Sequence, residues 1–236
     1  MSSFRAAPRI GHLERAKRIV GYVNKMKHGA RRFRTDIPDY SGLPEPTKKK
    51  WSDTIYGELK EEIPSDIPPP LGNPVTLTHY VDANLMHDLT TGRSVTGILH
   101  FMNQTPIDSY SKKQSTVETA TYGSEMLAAR TCIEQVIDLR NTLRYLGVNL
   151  TEQSYIFGDN DSVVKSSTNP DAKLHKRHNI LSFHFVREAI AAGYIRFTHI
   201  PGDVNPADIL SKHWGMQQVW PLLKPILFWD GDTNDC

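Results

Sequence analysis

The stretch Val75-Thr-Leu-Thr-His-Tyr-Val-Asp82-Ala-Asn84 decides how the rest of this 236-residue chain is interpreted. Its residues alternate between two faces and are rich in β-branched and aromatic types, a pattern that predicts a β-strand. The strand delivers a carboxylate, Asp82, at its carboxyl end. A single aspartate in such a place is most often a turn former or a helix cap. Its significance therefore depends on whether other carboxylates converge on it.

The sequence that follows predicts four more strands and a series of helices. In order, these are strands at 93–103 and 106–112, a helix at 117–146, a strand at 152–159, helices from 161 and at 178–192, a strand at 194–200 and a last helix from 205. Tight connections make the first three strands antiparallel neighbours, whereas strands reached through helices pair in parallel with right-handed crossovers. The predicted fold class is therefore α/β, with a mixed five-stranded sheet and helices on both faces.

Four acids stand at positions where such a sheet gathers ligands. Asp82 and Asp159 end strands, Glu125 shares the apolar face of the long helix, and Asp208 begins the last helix. Ligands of α/β sheets collect at the carboxyl ends of strands, and an acid on an apolar face is costly unless it is paired or binds a metal. Taken singly, Asp159 could be a helix cap and Asp208 a first-turn charge. Together the four acids predict an oxygen-only site for two Mg²⁺ or Mn²⁺ ions about 3.5–4 Å apart.

Composition divides the chain into four parts. Residues 1–34 contain ten Lys and Arg from Arg5 onward against one acid, and they predict a basic amphipathic helix. Such a helix suits nucleic acid, a membrane surface or a larger domain from which it has been separated. Residues 35–74 are rich in proline and are predicted to be a linker or surface arm. Residues 75–214 hold the α/β domain, and 215–236 form a hydrophobic C-terminal tail.

The remaining composition excludes several classes of protein. The two cysteines, Cys132 and Cys236, provide neither a disulfide framework nor a zinc spacing. No run approaches the roughly 20 apolar residues of a membrane span, and the N-terminus lacks an apolar signal core. We therefore expect an intracellular protein of the cytoplasm or nucleus, not secreted and without a membrane partner. The net charge of +2 says little about other partners.

Seven segments between Thr76 and Lys212 carry a family resemblance. They are Tyr80-Val-Asp-Ala-Asn84, Ser94-Val-Thr-Gly97, Ser111-Lys-Lys-Gln114, Ser124-Glu-Met126, Asp159-Asn160 with Ser162, His178 through His184-Phe-Val-Arg-Glu188, and Asn205-Pro-Ala-Asp-Ile-Leu-Ser-Lys212. In order and spacing, the chain resembles the C-terminal end of the polymerase polyprotein of copia-type LTR retrotransposons. Residues 8–33 resemble the end of its reverse transcriptase, and the rest resembles its ribonuclease H domain. The polymerase aspartates are missing, so DNA synthesis is not expected.

The resemblance implies a ribonuclease H-like fold and a Mg²⁺-dependent endoribonuclease that cleaves the RNA strand of RNA/DNA hybrids with two metal ions. It implies catalytic and metal-binding roles for Asp82, Glu125, Asp159 and Asp208, although the family usually has Glu-Ala-Glu-Tyr where this chain has Gly123-Ser124-Glu125-Met126. The implied partners are the hybrid and the rest of a retroelement polyprotein. Substrate contacts are expected from residues in loops and at element ends: Arg93, Ser94, Lys112, Lys113, Gln114, Asn160, Lys176 and Arg177.

Three questions stay open at this point. A truncated, catalytically silent remnant with at most nucleic-acid binding is the alternative to an active enzyme. A transposase or integrase core of the same superfamily is a third hypothesis, against which the positions of Glu125 and Asp208 speak. Many ribonucleases H also carry a histidine before the last helix. The nearest position here is Asp203, whereas His199 lies on the strand, so the sequence assigns that role to neither.

Overall fold

The computed structural model describes residues 7–25, 27–30, 33–45, 50–151, 153–174, 177–226 and 228–229. The helices are α1 (Ile10–Lys25), α2 (Thr121–Tyr145), α3 (Asp161–Thr168), α4 (Ile180–Ala191), α5 (Asp208–Ser211) and α6 (Met216–Leu223). The strands are β1 (Gly29–Ala30), β2 (Leu71–Val75), β3 (Leu77–Asp88), β4 (Arg93–Met102), β5 (Thr105–Lys113), β6 (Val148–Leu150), β7 (Ser154–Gly158), β8 (Ile195–His199) and β9 (Phe228–Trp229).

The main sheet has five strands in the order β5-β4-β3-β7-β8. Strand β3 pairs antiparallel with β4 and parallel with β7, and β7 pairs parallel with β8. Helix α2 covers one face of the sheet, and α5 lies against the other, next to β3 and β4. The predicted fold class is confirmed as α/β: the sheet is mixed and five-stranded, with three antiparallel strands followed by parallel ones and helices on both faces. Two small sheets, β1-β9 and β2-β6, are additions that the sequence did not predict.

The core lies between the sheet and helices α2, α3 and α4. The apolar face predicted for α2 is buried at Ala128, Ala129, Cys132 and Val136, and half-buried further along at Leu139 and Leu143. The buried residues of this face belong to one apolar cluster with β3, which contributes Val81. Because full burial of a large apolar side chain stabilises a protein by about 1.5–3 kcal/mol, this cluster is what holds α2 against the sheet.

Three predicted boundaries are wrong. Strand β3 runs six residues past Asp82 to Asp88, because β4 continues to pair with it as far as Arg93. The long helix begins at Thr121 and not at residue 117. The last helix, α5, is a single turn, and the indole Nε1 of Trp214 donates a 3.0 Å hydrogen bond to the carbonyl of Asp208 at its start.

The proline-rich segment is an arm fastened to the domain. Tyr40 lies 4.4 Å from the ring of Tyr155 between centroids, on the α5 side of the sheet. Further along, the hydroxyl of Tyr56 is hydrogen-bonded to His184 Nδ1 at 2.6 Å and accepts a bond from Arg187. The arm therefore contacts the sheet at β7 and, further along, helix α4. The division of the chain at residues 35–74 stays a prediction.

Helix α1 occupies 16 residues of the predicted basic segment. None of its residues is buried, and the apolar stripe that includes Leu13, Val20 and Val23 is exposed. Among the helices of the described residues, α1 included, none has the length and apolar character needed to cross a bilayer.

An ion cluster gives the arm a strong attachment. Arg140, 1% exposed, donates to Glu61 through Nε at 2.7 Å, and Arg144 donates to the same carboxylate at 2.6 Å. We predict that Glu61→Gln destabilises the protein by roughly 3 kcal/mol, because removing one partner of a buried ion pair leaves the other charge uncompensated. Chemical denaturation of wild type and variant measures the loss. The neighbouring exposed Glu62 offers the control, since Glu62→Gln should change stability little; equal stability of both variants would contradict the prediction.

Two buried histidines, one on β3 and one on β4, should make the free energy of unfolding smaller at acidic pH. The Nδ1 atoms of His79 and His100 lie 2.8 Å apart in the core, and burial lowers the pKa of both rings. The unfolded chain takes up protons at these residues near pH 6.5 while the folded protein does not, so they make the free energy of unfolding fall as the pH drops below about 6.5. His79→Leu should remove up to about 1.4 kcal/mol per pH unit from this slope. Unfolding of wild type and variant between pH 5 and 8 checks the difference, with exposed His28→Leu as control; identical slopes for wild type and His79→Leu would refute it.

Candidate active site

The site begins with Asp82 and Asp159 on neighbouring parallel strands. In the β3–β7 register, Val81 lies opposite Gly158, the last residue of β7. The next residue of each chain segment is an aspartate, so the register alone brings the two carboxylates to one level of the sheet. Asp82 is 0% exposed, whereas Asp159 is only partly buried. Asp82 therefore lies inside β3, at the height where β7 ends, and not at the end of its own strand as predicted.

Helix α2 adds the third carboxylate. Glu125 lies at the end of the first turn of α2, on the face that packs against the sheet, and is 7% exposed. One carboxylate oxygen from each of Asp82, Glu125 and Asp159 lies within 4.8 Å of the others. Three buried or half-buried acids at this separation repel one another unless protons or cations neutralise them.

Helix α5 is held against the opposite face of β3 by two features. The buried Asn205 donates from Nδ2 to the carbonyl of Val81 at 3.0 Å and accepts from the backbone N–H of Ala207. Gly97, which faces Asp82 across the β3–β4 ladder, leaves room for the helix: a Cβ there would lie 2.7 Å from the carbonyl oxygen of Ala207. Only a residue without a side chain permits this approach.

The approach of α5 brings three of its polar side chains to Asp82. The hydroxyl of Ser211 donates to Asp82 Oδ2. Lys212 Nζ lies 2.6 Å from Asp208 Oδ1 and 3.3 Å from Asp82 Oδ1. The Oδ1 atoms of Asp82 and Asp208 therefore lie no further apart than the sum of these two distances. The four predicted acids do converge, with Asp208 joined to the other three through a lysine.

Burial and the proximity of other carboxylates raise the pKa values of the acids in this site. Burial, and then the charges of Asp82 and Asp159, raise the pKa of Glu125 well above its ordinary value. Burial and Asp82 likewise raise the pKa of Asp159. Burial and neighbouring carboxylates raise the pKa of Asp208 to about 6, although Lys212 opposes the shift. Burial lowers the pKa of Lys212, but Asp208 and Asp82 outweigh it, so the net change is upward.

Sequence reasoning assigned no role to Ser211 or Lys212, although both stand in a quoted motif. Their spacing from Asp208, three and four residues, places all three side chains on one side of a helical turn. That signal shows only which residues share a face. The contact with Asp82 depends on the packing of α5 against β3 and β4.

The residues predicted to contact substrate divide into two groups. Arg93, Lys112, Lys113 and Arg177 are exposed, and Lys113 forms an ion pair with Asp88 at 2.6 Å. The others serve contacts within the protein or lie outside the described residues. Ser94 is buried and accepts from Met86 N–H, Gln114 is buried and donates to Thr96 and Ser124, Asn160 caps α3 by accepting from Val163 N–H at 3.1 Å, and Lys176 is outside the described part of the chain.

His199 and Asp203 flank the site without entering the cluster. Both side chains are exposed, and His199 Nε2 lies 3.1 Å from the backbone carbonyl oxygen of Asp159. The short turn Gly202–Val204 passes close to Asp159, since a Cβ on Gly202 would lie 3.1 Å from Asp159 Oδ2. Neither position acquires the product-release role that the sequence left open.

The donor set suits hard divalent cations. Its ligand atoms are carboxylate oxygens, without sulfur or imidazole among them, which favours Mg²⁺ or Mn²⁺ over Zn²⁺. Burial, and then the neighbouring carboxylates, raise the pKa of Glu125 and of Asp159, so positive charge placed among these acids would stabilise their ionised forms. Cations bound among the acids would supply this positive charge, so the residues present fit a metal centre.

Comparisons with known proteins agree with the sequence motifs. No protein-family profile matches the chain. It is 27% identical over 141 residues to the Retrovirus-related Pol polyprotein from transposon RE1 of Arabidopsis thaliana and 28% identical over 141 residues to that from transposon TNT 1-94 of Nicotiana tabacum. Each match covers 60% of this chain and 10% of the polyprotein, so the chain spans about a tenth of the length of these curated relatives.

A solved structure is also similar. RNase H1 from the halophilic archaeon Halobacterium salinarum NRC-1 is 16% identical, with 58% of this chain and 94% of that chain covered and a TM-score of 0.45. The sequence matches confirm the resemblance that the motifs predict: the chain is similar to a fragment of the Pol polyprotein of copia-type retrotransposons.

Proposed function

We propose that this protein is a ribonuclease H that hydrolyses the RNA strand of RNA/DNA hybrids with two divalent metal ions, Mg²⁺ or alternatively Mn²⁺. The observation that carries the proposal is the convergence of Asp82, Glu125 and Asp159 within 4.8 Å, with Asp208 beside Asp82. Similarity to transposon Pol polyproteins over 141 residues of the chain supports it. The chain would act within a longer polyprotein or as a part released from one.

The four acids would together provide the carboxylate ligands of the two metal ions. Asp82 is the shared member, because it belongs to the cluster with Glu125 and Asp159 and also approaches Asp208. When bound, the ions would supply an activated water molecule and stabilise charge on the leaving 3′-oxygen. Ser211 would fix the orientation of Asp82 by donating to its second oxygen. The protein therefore contributes ligands on rigid elements and needs no covalent nucleophile.

Hybrid recognition would depend on exposed cations around the acids. Proteins recognise RNA-containing duplexes mainly through phosphates, 2′-hydroxyl groups and groove shape. Arg93, Lys112 and Arg177 are exposed and available for phosphates. Ser94 and Gln114 would act indirectly, since both are buried and bonded within the protein.

The central test is cleavage of a labelled RNA/DNA hybrid in Mg²⁺. We predict that wild type cleaves the RNA strand, while Asp82→Asn and Asp159→Asn each lose at least about a hundredfold of the rate, because each substitution removes a carboxylate ligand from the metal centre. Removal of divalent ions with a chelator should abolish cleavage, and addition of Mg²⁺ should restore it.

The matched control is Asp161→Asn: Asp161 lies two residues from Asp159, at the first position of α3, but its side chain is exposed and pairs with Lys165. The variant should cleave like wild type. Absence of cleavage by folded wild-type protein would overturn the proposal and favour the alternative, a catalytically silent remnant with at most nucleic-acid binding. Binding of the uncleaved hybrid, measured by fluorescence anisotropy, would distinguish these two forms of the alternative.

A further inference from the structure

A protein cation already lies within the carboxylate cluster. Lys212 Nζ is 2.6 Å from Asp208 Oδ1 and 3.3 Å from Asp82 Oδ1, both within hydrogen-bonding or ion-pairing range. The side chain of Lys212 is 30% exposed, whereas those of Asp82 and Asp208 are 1% and 8% exposed. The ammonium group therefore enters from the solvent edge and closes over two buried acids.

The position of this ammonium group is set by the fold. Asp208 and Lys212 are four residues apart on one side of α5, and the backbone N–H of Lys212 still donates to the carbonyl of Asp208 at 3.1 Å. Asn205 and Gly97 hold α5 against β3 and β4, as described above. The lysine stem is partly exposed, so the ammonium group can swing out to water without moving the helix.

The two halves of the site differ because of this lysine. The oxygens of Asp82, Glu125 and Asp159 come together within 4.8 Å, and that group does not include Asp208. Asp208 instead accepts a hydrogen bond from the ammonium group of Lys212, which also donates to Asp82. The Asp82–Glu125–Asp159 half is thus a cluster of acids, whereas the Asp82–Asp208 half contains the positive charge of Lys212 between its two acids.

We propose that Lys212 is an internal counter-cation that occupies the Asp82–Asp208 half of the site and must withdraw before a divalent ion binds there. The inference rests on the proposed two-metal function and deepens it. The two metal positions are then unequal: the Asp82–Glu125–Asp159 position fills first, and the position beside Asp208 fills at higher metal concentration because binding there displaces the ammonium group. In the metal-free protein the lysine balances part of the buried negative charge.

Calorimetric titration with Mn²⁺ tests this inequality without any cleavage. Lys212→Met should tighten the weaker Mn²⁺ site at least tenfold, because the ion no longer competes with the ammonium group. Lys212→Arg retains the charge and should keep the weak site of wild type. Lys165→Met is the matched control: Lys165 forms an i,i+4 pair with Asp161 at the same 2.6 Å distance, but on the exposed surface of α3, so both affinities should stay unchanged.

A second measurement uses the wild-type protein alone, in case a variant does not fold. Reductive methylation followed by mass spectrometry reports how accessible each lysine amine is. The amine of Lys212 should react slowly in metal-free protein and several-fold faster at saturating Mn²⁺, while the amine of Lys165 should react equally in both conditions. Reactivity of Lys212 that does not change with Mn²⁺ overturns the proposal.

The remaining outcomes are also decisive. Equal or weaker Mn²⁺ binding by Lys212→Met, or no Mn²⁺ binding by wild type, overturns the inference. Because calorimetry does not require turnover, its failure is distinguishable from failure of the proposed function. Binding of two ions that depends on Lys212, without hybrid cleavage, would reject the proposed enzyme activity and support the inference. Hybrid cleavage with metal binding that does not depend on Lys212 would support the enzyme activity and reject the inference.

Discussion

Strand β3 is hydrogen-bonded on both sides, antiparallel to β4 and parallel to β7, and the site depends on this change of direction. The parallel side brings the residues after Val81 and Gly158 to one level, which places Asp82 beside Asp159. The antiparallel side aligns Gly97 with Asp82 and so admits α5 to the surface of the sheet. A shift of either register by one residue would turn Asp82 to the opposite face and separate the acids.

The same arrangement of acids destabilises the folded protein. Burial, and then repulsion from neighbouring carboxylates, raise the pKa of the gathered acids, as at Glu125 and Asp208. The fold opposes this repulsion with few groups: the hydroxyl of Ser211 on one oxygen of Asp82 and the ammonium group of Lys212 on the other. Most of the free energy that keeps the acids together therefore comes from elsewhere, namely the apolar cluster between α2 and the sheet. Repulsion of this kind among acids is typical of sites where a bound ligand balances the charge.

The sequence predicts the parts of this structure that depend on local pattern. Alternation and turn residues predict the five strands and the antiparallel pairing of the first three, and the positions of four acids predict the cluster. The end of β3 could not be predicted, because it depends on how far β4 continues to pair with it. The role of Lys212 was also beyond reach, since a spacing of four residues identifies a shared helical face but not what that face meets. The contact of Glu61 with two arginines leaves no local signal at all.

The fastening of the arm has a consequence for how the chain assembles. Its hydrogen bonds join residues 79 apart in sequence, from Glu61 to Arg140, and 131 apart, from Tyr56 to Arg187. The pairings of β3, β4 and β5, by contrast, close short hairpins. Loop-closure entropy grows with the length of the closed segment, and contacts of long sequence separation slow folding. We therefore expect the arm to attach after the β3–β4–β5 hairpins have formed, at a stage when the parallel β3–β7 pairing, which joins residues 77 apart from Val81 to Gly158, is also closing.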